Sequence, residues 1–271
     1  MDNLIDGKRL AGIHQHRLMN ELLRLNIRPR VVSIMVGEDP ASQLYTKIKQ
    51  AKAAEIGIDF TVLTFPESAQ LAEVNIAIVK LNSDPTVSGI MVQLPLPESF
   101  LQGQDKSRIL DSIAPQKDID GLRSDSAFLP AASRAVLSIL EDEMVELDNK
   151  FIVVVGASGM VGKPLVSEFK KRKLMVSGVD EHTSNIEQIT KRADILISAV
   201  GKPRLISANM IKDGVVVIDV GTTKMENGRV VGDIDFESIQ PKASKITPVP
   251  GGIGPMTVIS LMENAVEALN S

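Results

Sequence analysis

The side chains with most capacity for chemistry fall in a few short strings. In "YTKIK", Tyr45 and Lys49 are four residues apart, so a helix places the chain's only tyrosine and a lysine amine on one face. Exposed helical lysines are abundant, and the pair alone decides nothing. "GIMVQLPLP", Gly89 to Pro97, is an apolar run interrupted once by a polar side chain, the amide of Gln93. "QKDIDG" sets Asp118 and Asp120 ahead of a glycine, a pattern that turn formation would also explain. "PVPGGIGPMT" fixes a Gly- and Pro-rich backbone able to approach a ligand closely.

A second set of strings points to a dinucleotide. "FIVVVGASGMVGKP" runs from an apolar stretch straight into Gly156, Gly159 and Gly162. A tight glycine turn that opens a helix presents backbone N–H groups to a pyrophosphate. The spacing is G-x-x-G-x-x-G, with Ser158 in the middle position, and a ligand-free connection would look similar. The next strand ends at Asp180 and Glu181, about where an acid meets the adenosine ribose in such folds. Their charge would repel a 2′-phosphate and favour NAD over NADP.

These residues need elements to hold them. Helical spacing covers Arg9 to Leu25, followed by a β-rich run from Arg30 to Gly37. "DPASQLYTKIKQAKAAEIG" reads as a helix with Asp39 as cap, Pro40 in its first turn and Gly57 at its stop. A strand "DFTVLTF", a helix around Leu71 to Leu81 and a strand "VSGIMVQL" complete a βαβαβ series. After an irregular Pro-rich stretch, Ser133 to Val145 reads as a joining helix. Strands in "KFIVVVG", "KLMVSGVD", "ADILISAV" and "GVVVIDVG" then form a second series, closed by a helix from about Val258 to Ala268. Alternating strands and helices argue for parallel sheets in two α/β domains, divided somewhere in residues 122 to 145.

Composition narrows the function classes. The chain has 271 residues, 44% hydrophobic and 24% charged, enough apolar material for two modest cores. A net charge of −4 with interspersed signs leaves no footprint for nucleic acid, and the absence of Trp beside a single Tyr leaves few stacking platforms. Without cysteine there is no disulfide, thiolate nucleophile or Cys-based metal site, and His14, His16 and His182 form no ligand set. No signal-peptide pattern or bilayer-length apolar stretch is present, so a cytoplasmic, metal-free protein is expected.

Taken in order, "GEDPASQLYTKIKQAK", "GIMVQLPLP", "PQKDIDG", "VVVGASGMVGKPL", "VIDVGTTK", "VVGDIDF" and "PVPGGIGPMT" resemble the motifs of the bifunctional methylenetetrahydrofolate dehydrogenase/cyclohydrolases. The likeness runs from about Val31 to Thr257. It implies a folate-binding catalytic domain over residues 1–130, onto which the helix at about 256–271 packs back. It further implies a Rossmann-like NAD(P)-binding domain over 131–255, a cleft between the two, and a homodimer made through the nucleotide domain. The implied activities are oxidation of 5,10-methylenetetrahydrofolate to the methenyl form and hydrolysis of that form to 10-formyltetrahydrofolate. A relative with only one activity is the alternative.

By the same resemblance, Lys49 takes the catalytic lysine position, Gln93 its partner and Tyr45 the folate-contacting tyrosine. Val92, Leu94 and Pro250, Gly251, Gly252, Ile253 and Gly254 line the folate, and Asp120 binds the pterin. Gly156, Ala157, Ser158, Gly159 and Gly162 form the pyrophosphate loop, Glu181 falls near the 2′-phosphate position, and Thr222 lies beside the nicotinamide. Hydration requires Lys49 to exchange a proton, hence a depressed pKa, which a dry site would favour and nearby cations would reinforce. Three departures stand out. Ala157 replaces the family's usual arginine, Asp180 and Glu181 replace a His-Ser pair, and "PAAS" (Pro130 to Ser133) replaces Pro-Cys-Thr-Pro. The first two weaken the family's common NADP preference unless His182, Lys163 or Arg172 compensates. The third puts the linker geometry in question.

Overall fold

The structure, a computed structural model, describes residues 3–270; the ends of the expected 1–130 and 256–271 segments lie outside them. The chain divides into two compact units. One comprises Ile13–Ala131 and the chain from Val258 onward, the other residues up to Gly12 and Ala132–Thr257. Each is an α/β unit built around a parallel sheet, as the alternating elements require.

In the first unit, α1 (Gly7–Leu25, which begins in the other unit) leads to β1 (Arg30–Val36), α2 (Pro40–Ile56), β2 (Asp59–Phe65), α3 (Leu71–Ser83) and β3 (Gly89–Val92). Two one-turn helices follow, α4 (Glu98–Leu101) and α5 (Ser107–Leu110). The sheet order is β2-β1-β3, all parallel, so the chain reverses its direction of travel between β1 and β3. After its first residue β1 is buried throughout, which is why it reads as an apolar run, interrupted only by the buried Ser33, rather than an alternation. Val32, Ile34, Val74, Ile78, Ile90 and Val92 make the core between this sheet and α3.

The caps of α2 behave as their residue types dictate. Asp39 accepts a hydrogen bond from the Ser42 N–H at 2.7 Å, and Pro40 occupies the first turn. Gly57 adopts φ +99° and returns its N–H to the Ala53 carbonyl. β3 is shorter than the expected run to Leu94. Gln93 still donates its N–H to the Ile34 carbonyl, but Pro95 has no N–H to continue the ladder.

The second unit begins in α6 (Ala131–Asp142), which starts two residues earlier than expected. It continues through β4 (Ile152–Val155), α7 (Gly162–Lys171), β5 (Val176–Val179), α8 (Ile186–Thr190), β6 (Ile195–Ser198) and β7 (Val216–Asp219). A small antiparallel ribbon, β8 (Thr223–Lys224) with β9 (Val230–Val231), precedes α9 (Phe236–Ile239) and β10 (Lys245–Ile246). The parallel order is β10-β7-β6-β4-β5, so the direction of travel reverses between β4 and β6. The last helix, α10 (Ile253–Glu267), starts five residues before the expected Val258. Pro255 lies in its first turn, where a missing N–H costs nothing, so the proline belongs to the helix and not to the loop.

Candidate active site

In open parallel sheets ligands bind beyond the carboxyl ends of the strands, where the strand order reverses. In the first unit that place lies beyond β1 and β3. Gln93 is the residue immediately after β3, and its side chain is only 8% exposed. It faces α2, where Lys49 Nζ donates to Gln93 Oε1 at 3.0 Å and lies 3.9 Å from the Met91 sulfur. The Gln93 amide nitrogen donates in turn to the Leu94 carbonyl at 2.7 Å, which fixes which end of the amide the lysine meets. Buried Thr46 adds a longer bond to the same Oε1. A polar residue in an apolar strand is thereby explained: it is the acceptor for a lysine amine held off the sheet by the neighbouring helix.

The segment that carries the two aspartates is pinned beside β3. Ile119 donates its N–H to the Ile90 carbonyl, and Asp118 forms an isolated parallel bridge with Ile90. Asp118 is buried, and its Oδ2 accepts the Arg123 N–H at 2.9 Å, so this aspartate builds the turn. Asp120 is left to act electrostatically on Lys49. Burial pushes the Asp120 carboxyl above its ordinary value and the Lys49 charge pulls it back. Burial likewise lowers the Lys49 pKa, while Asp120 raises it. The expected lowering is present, but its cause is desolvation alone; the charge acting on the amine is an anion, which opposes the shift rather than reinforcing it.

Other expected positions divide. Tyr45 is 49% exposed on α2, one turn before Lys49. Leu94 is partly buried, and the Val92 side chain is in the core, so Val92 can offer a ligand only its backbone. Two supports were not anticipated. Asn264 of α10 donates to the Ile119 and Leu129 carbonyls at 2.8 and 3.0 Å, and Ala131 N–H donates to the Asp120 carbonyl. "PAAS", read as a linker, is thus the start of a helix that holds Asp120 in place.

In the second unit the reversal between β4 and β6 coincides with the glycine turn. Gly156 has φ +87°, and a Cβ there would collide with the Ala199 carbonyl beyond β6. A Cβ on Gly162 would collide with the Gly156 carbonyl. Both glycines are needed to draw the turn tight against α7. Ser158, Gly159 and Met160 are exposed, and the N–H groups of Ser158 and Met160 have no hydrogen-bond acceptor among the described residues. This is a cradle for an anionic oxygen at a helix start, and it fits a pyrophosphate. Asp180 Oδ1 accepts from His182 N–H and Thr183 Oγ1, so this acid shapes its own turn, while Glu181 is exposed. Arg172 is at the far end of α7, paired with Glu168 and Glu141, and cannot serve the turn. Thr222 is exposed just after β7, and Gly251, at φ +109°, lies in the bend from Pro250 into α10. Ile253 is buried and Gly254 exposed in the first turn of α10.

No group of three or more His, Cys, Asp or Glu side chains arranged to hold a metal occurs among the described residues. No described helix is long and apolar enough to cross a membrane.

Comparison with known proteins agrees with both halves of this geometry. Residues 5–120 match the tetrahydrofolate dehydrogenase/cyclohydrolase catalytic domain, and residues 130–271 match the NAD(P)-binding domain of the same family. The bifunctional protein FolD of Exiguobacterium sibiricum is 40% identical over 277 residues, covering 98% of each chain. The FolD methylenetetrahydrofolate dehydrogenase/cyclohydrolase of Campylobacter jejuni has a similar structure, with TM-score 0.92 and 37% identity over 98% of both chains. The Trypanosoma brucei dehydrogenase-cyclohydrolase, solved with NADP and an inhibitor, gives 0.90 and 32%, over 98% of this chain and 97% of that one. A lysine–glutamine pair beside a half-buried aspartate, a glycine cradle at a sheet reversal and matches to both domain models place this chain in the bifunctional tetrahydrofolate dehydrogenase/cyclohydrolase family.

Proposed function

We propose that the chain oxidises 5,10-methylenetetrahydrofolate with NAD(P) and hydrolyses the resulting methenyl cation to 10-formyltetrahydrofolate, as a cytoplasmic homodimer in one-carbon metabolism. The observation that carries this reading is the 3.0 Å bond from Lys49 Nζ to Gln93 Oε1, in a unit matched by the family's catalytic domain. A nicotinamide bound in the second unit supplies the hydride acceptor for the first step. In the second step water adds to the methenyl carbon, the bond from that carbon to N5 breaks, N5 takes one proton and one proton is released. Lys49 is the group assigned to that proton traffic. Burial lowers its pKa, so the neutral amine is reached at lower pH than for an ordinary lysine. Gln93 holds the amine in place, and its oxygen accepts a hydrogen bond in either protonation state. Asp120 is the acceptor suited to the ring N–H and exocyclic amine of the pterin, and Tyr45 presents a phenol on the same helix face.

The backbone of Gly156 to Gly162 would hold the pyrophosphate, with Thr222 and the Pro250–Gly254 bend as the further ligand contacts. Two features favour NAD over NADP. Ala157 carries no cation at the turn, and β5 exits into Asp180 and Glu181, whose charges repel a 2′-phosphate. A spectrophotometric assay with 5,10-methylenetetrahydrofolate, run in parallel with NAD and NADP, tests the whole reading. Reduction of one coenzyme together with enzyme-accelerated methenyl decay is expected; methenyl decay alone would reduce the chain to a cyclohydrolase. Ala157→Arg should move the kcat/KM ratio toward NADP by about tenfold or more, the size of one charge-assisted contact. An unchanged ratio would assign coenzyme choice to other residues.

A further inference from the structure

Two buried carboxylates in the second unit remain without a role in the reaction. Asp219 ends β7 and is 3% exposed; Asp233, just after β9, is 0% exposed. Asp219 Oδ1 accepts the N–H groups of Gly221 and Asp233, and its Oδ2 accepts that of Ile234, each at 3.0 Å. Asp233 Oδ2 accepts the Ser198 hydroxyl at 2.9 Å and the Val200 N–H at 2.7 Å, while its Oδ1 accepts the Lys202 N–H at 2.9 Å. Each carboxylate therefore accepts three hydrogen bonds. The packing leaves no spare room, since a Cβ on Gly221 would collide with the Asp233 carboxyl and one on Gly232 with the Asp219 carboxyl.

The groups they hold adjoin the glycine turn and Thr222. Val200 to Lys202 is the loop leaving β6, and the Ala199 carbonyl at its root is the surface on which Gly156 rests. Gly221 leads directly to Thr222, and Thr223 Oγ1 donates across to the Gly201 carbonyl. Asp233 thus fixes the floor of the glycine turn and the β6 loop, and Asp219 fixes the β7 loop and the Asp233 backbone itself. We infer that Asp219 and Asp233 are positioning residues for the dinucleotide, a linked pair of acceptors that sets the β6 and β7 exit loops against the glycine turn. The inference rests on the NAD(P)-dependent dehydrogenase reading above. A carboxylate is required because it only accepts. An asparagine would turn its NH₂ toward one of the three donors and leave a buried N–H unpaired.

The test uses the whole protein. NADH and NADPH are titrated by nicotinamide fluorescence into the wild type, Asp233→Asn and Ser198→Ala, and methenyl hydrolysis is measured on the same preparations. For Asp233→Asn the dissociation constant of the coenzyme bound by the wild type should rise roughly 10- to 100-fold. Ser198→Ala, which removes one donor and keeps the carboxylate, should raise it by a smaller factor, about 3- to 10-fold. Methenyl hydrolysis should stay within about twofold in both, because Lys49, Gln93 and Asp120 belong to the other unit. Unchanged coenzyme affinity in a folded variant overturns the inference, as does a parallel fall of hydrolysis and affinity, which would mark a general loss of fold. If Asp233→Asn does not fold, Ser198→Ala decides alone by the same criterion. A wild type that hydrolyses the methenyl form but binds neither coenzyme would instead overturn the dehydrogenase reading, and this inference with it.

Discussion

Lys49 carries two opposing influences, burial that lowers its pKa and the Asp120 charge that raises it. If the neutral amine takes up the proton during hydration, the rate of methenyl hydrolysis climbs with pH through a pKa below the ordinary lysine value. Lys49→Ala should abolish that hydrolysis while NADH or NADPH binding stays within about twofold, since the nucleotide cradle is in the other unit. Unchanged hydrolysis would remove the lysine from the mechanism. Asp120→Asn removes the anion that favours the ammonium, so the rising limb of the pH–rate profile should move to lower pH; a limb that stays in place would show that burial alone sets it. Gln93 was visible in the sequence because an amide in an apolar strand departs from local expectation, whereas Lys49 was picked out only by the family resemblance, since a lysine one turn from a tyrosine is ordinary for a helix. Thr46 and Met91 were visible in neither way. Each is an ordinary residue for its helix or strand, and only the fold brings them to the amine.

Elements were legible wherever local chemistry dictates their ends. Asp39, Pro40 and Gly57 mark α2 as they would mark any helix, and the buried runs of β1 and β4 read directly as parallel strands. Legibility failed where one residue type serves two purposes. Pro255 signals a loop in isolation but is equally at home in the first turn of α10. "PAAS" lacks helix-start signals strong enough to show that it begins α6 and braces Asp120. Asn264 repeats the logic of Gln93, a polar side chain in the apolar helix stretch "LMENAV", but its partners are more than 130 residues away. Asn264→Leu keeps the helix and strips the donor from two carbonyls. It should cost roughly 1–3 kcal/mol for each carbonyl left buried, read from urea unfolding, and raise the folate KM by loosening the Asp120 segment. A variant as stable as the wild type with the same KM would mean that water replaces the amide.

At the scale of the whole molecule, two sheets use the same device, placing their candidate site residues where the strand order reverses. The pattern of strands and helices was enough to expect two parallel sheets, but not the order of their strands or the buried charges behind them. Asp219 and Asp233 end short apolar runs, "VVVIDV" and "VVGDID", and look like turn acids until the loops close over them. Their burial has a consequence for stability. Desolvation and the neighbouring Asp233 charge hold the Asp219 carboxyl at about 6, against 3.8 as its ordinary value. Between those values the folded chain binds more protons than the unfolded chain, so stability present at low pH is lost as pH rises through about 6. The loss attributable to Asp219 is on the order of 2–3 kcal/mol. Asp118 and Asp120, also raised by burial, push in the same direction, and Asp194, lowered by Lys212, pushes in the other. The informative quantity is therefore a difference between two proteins rather than one pH profile. Urea unfolding of the wild type and Asp219→Asn at about pH 5 and about pH 8 isolates it. The variant is expected to be less stable than the wild type at the lower pH and to close part of that gap at the higher, because it has lost a hydrogen-bond acceptor but has no carboxylate left to ionise. If the gap is the same at both pH values, Asp219 does not titrate in this range, and the charge it buries is balanced by its three N–H donors.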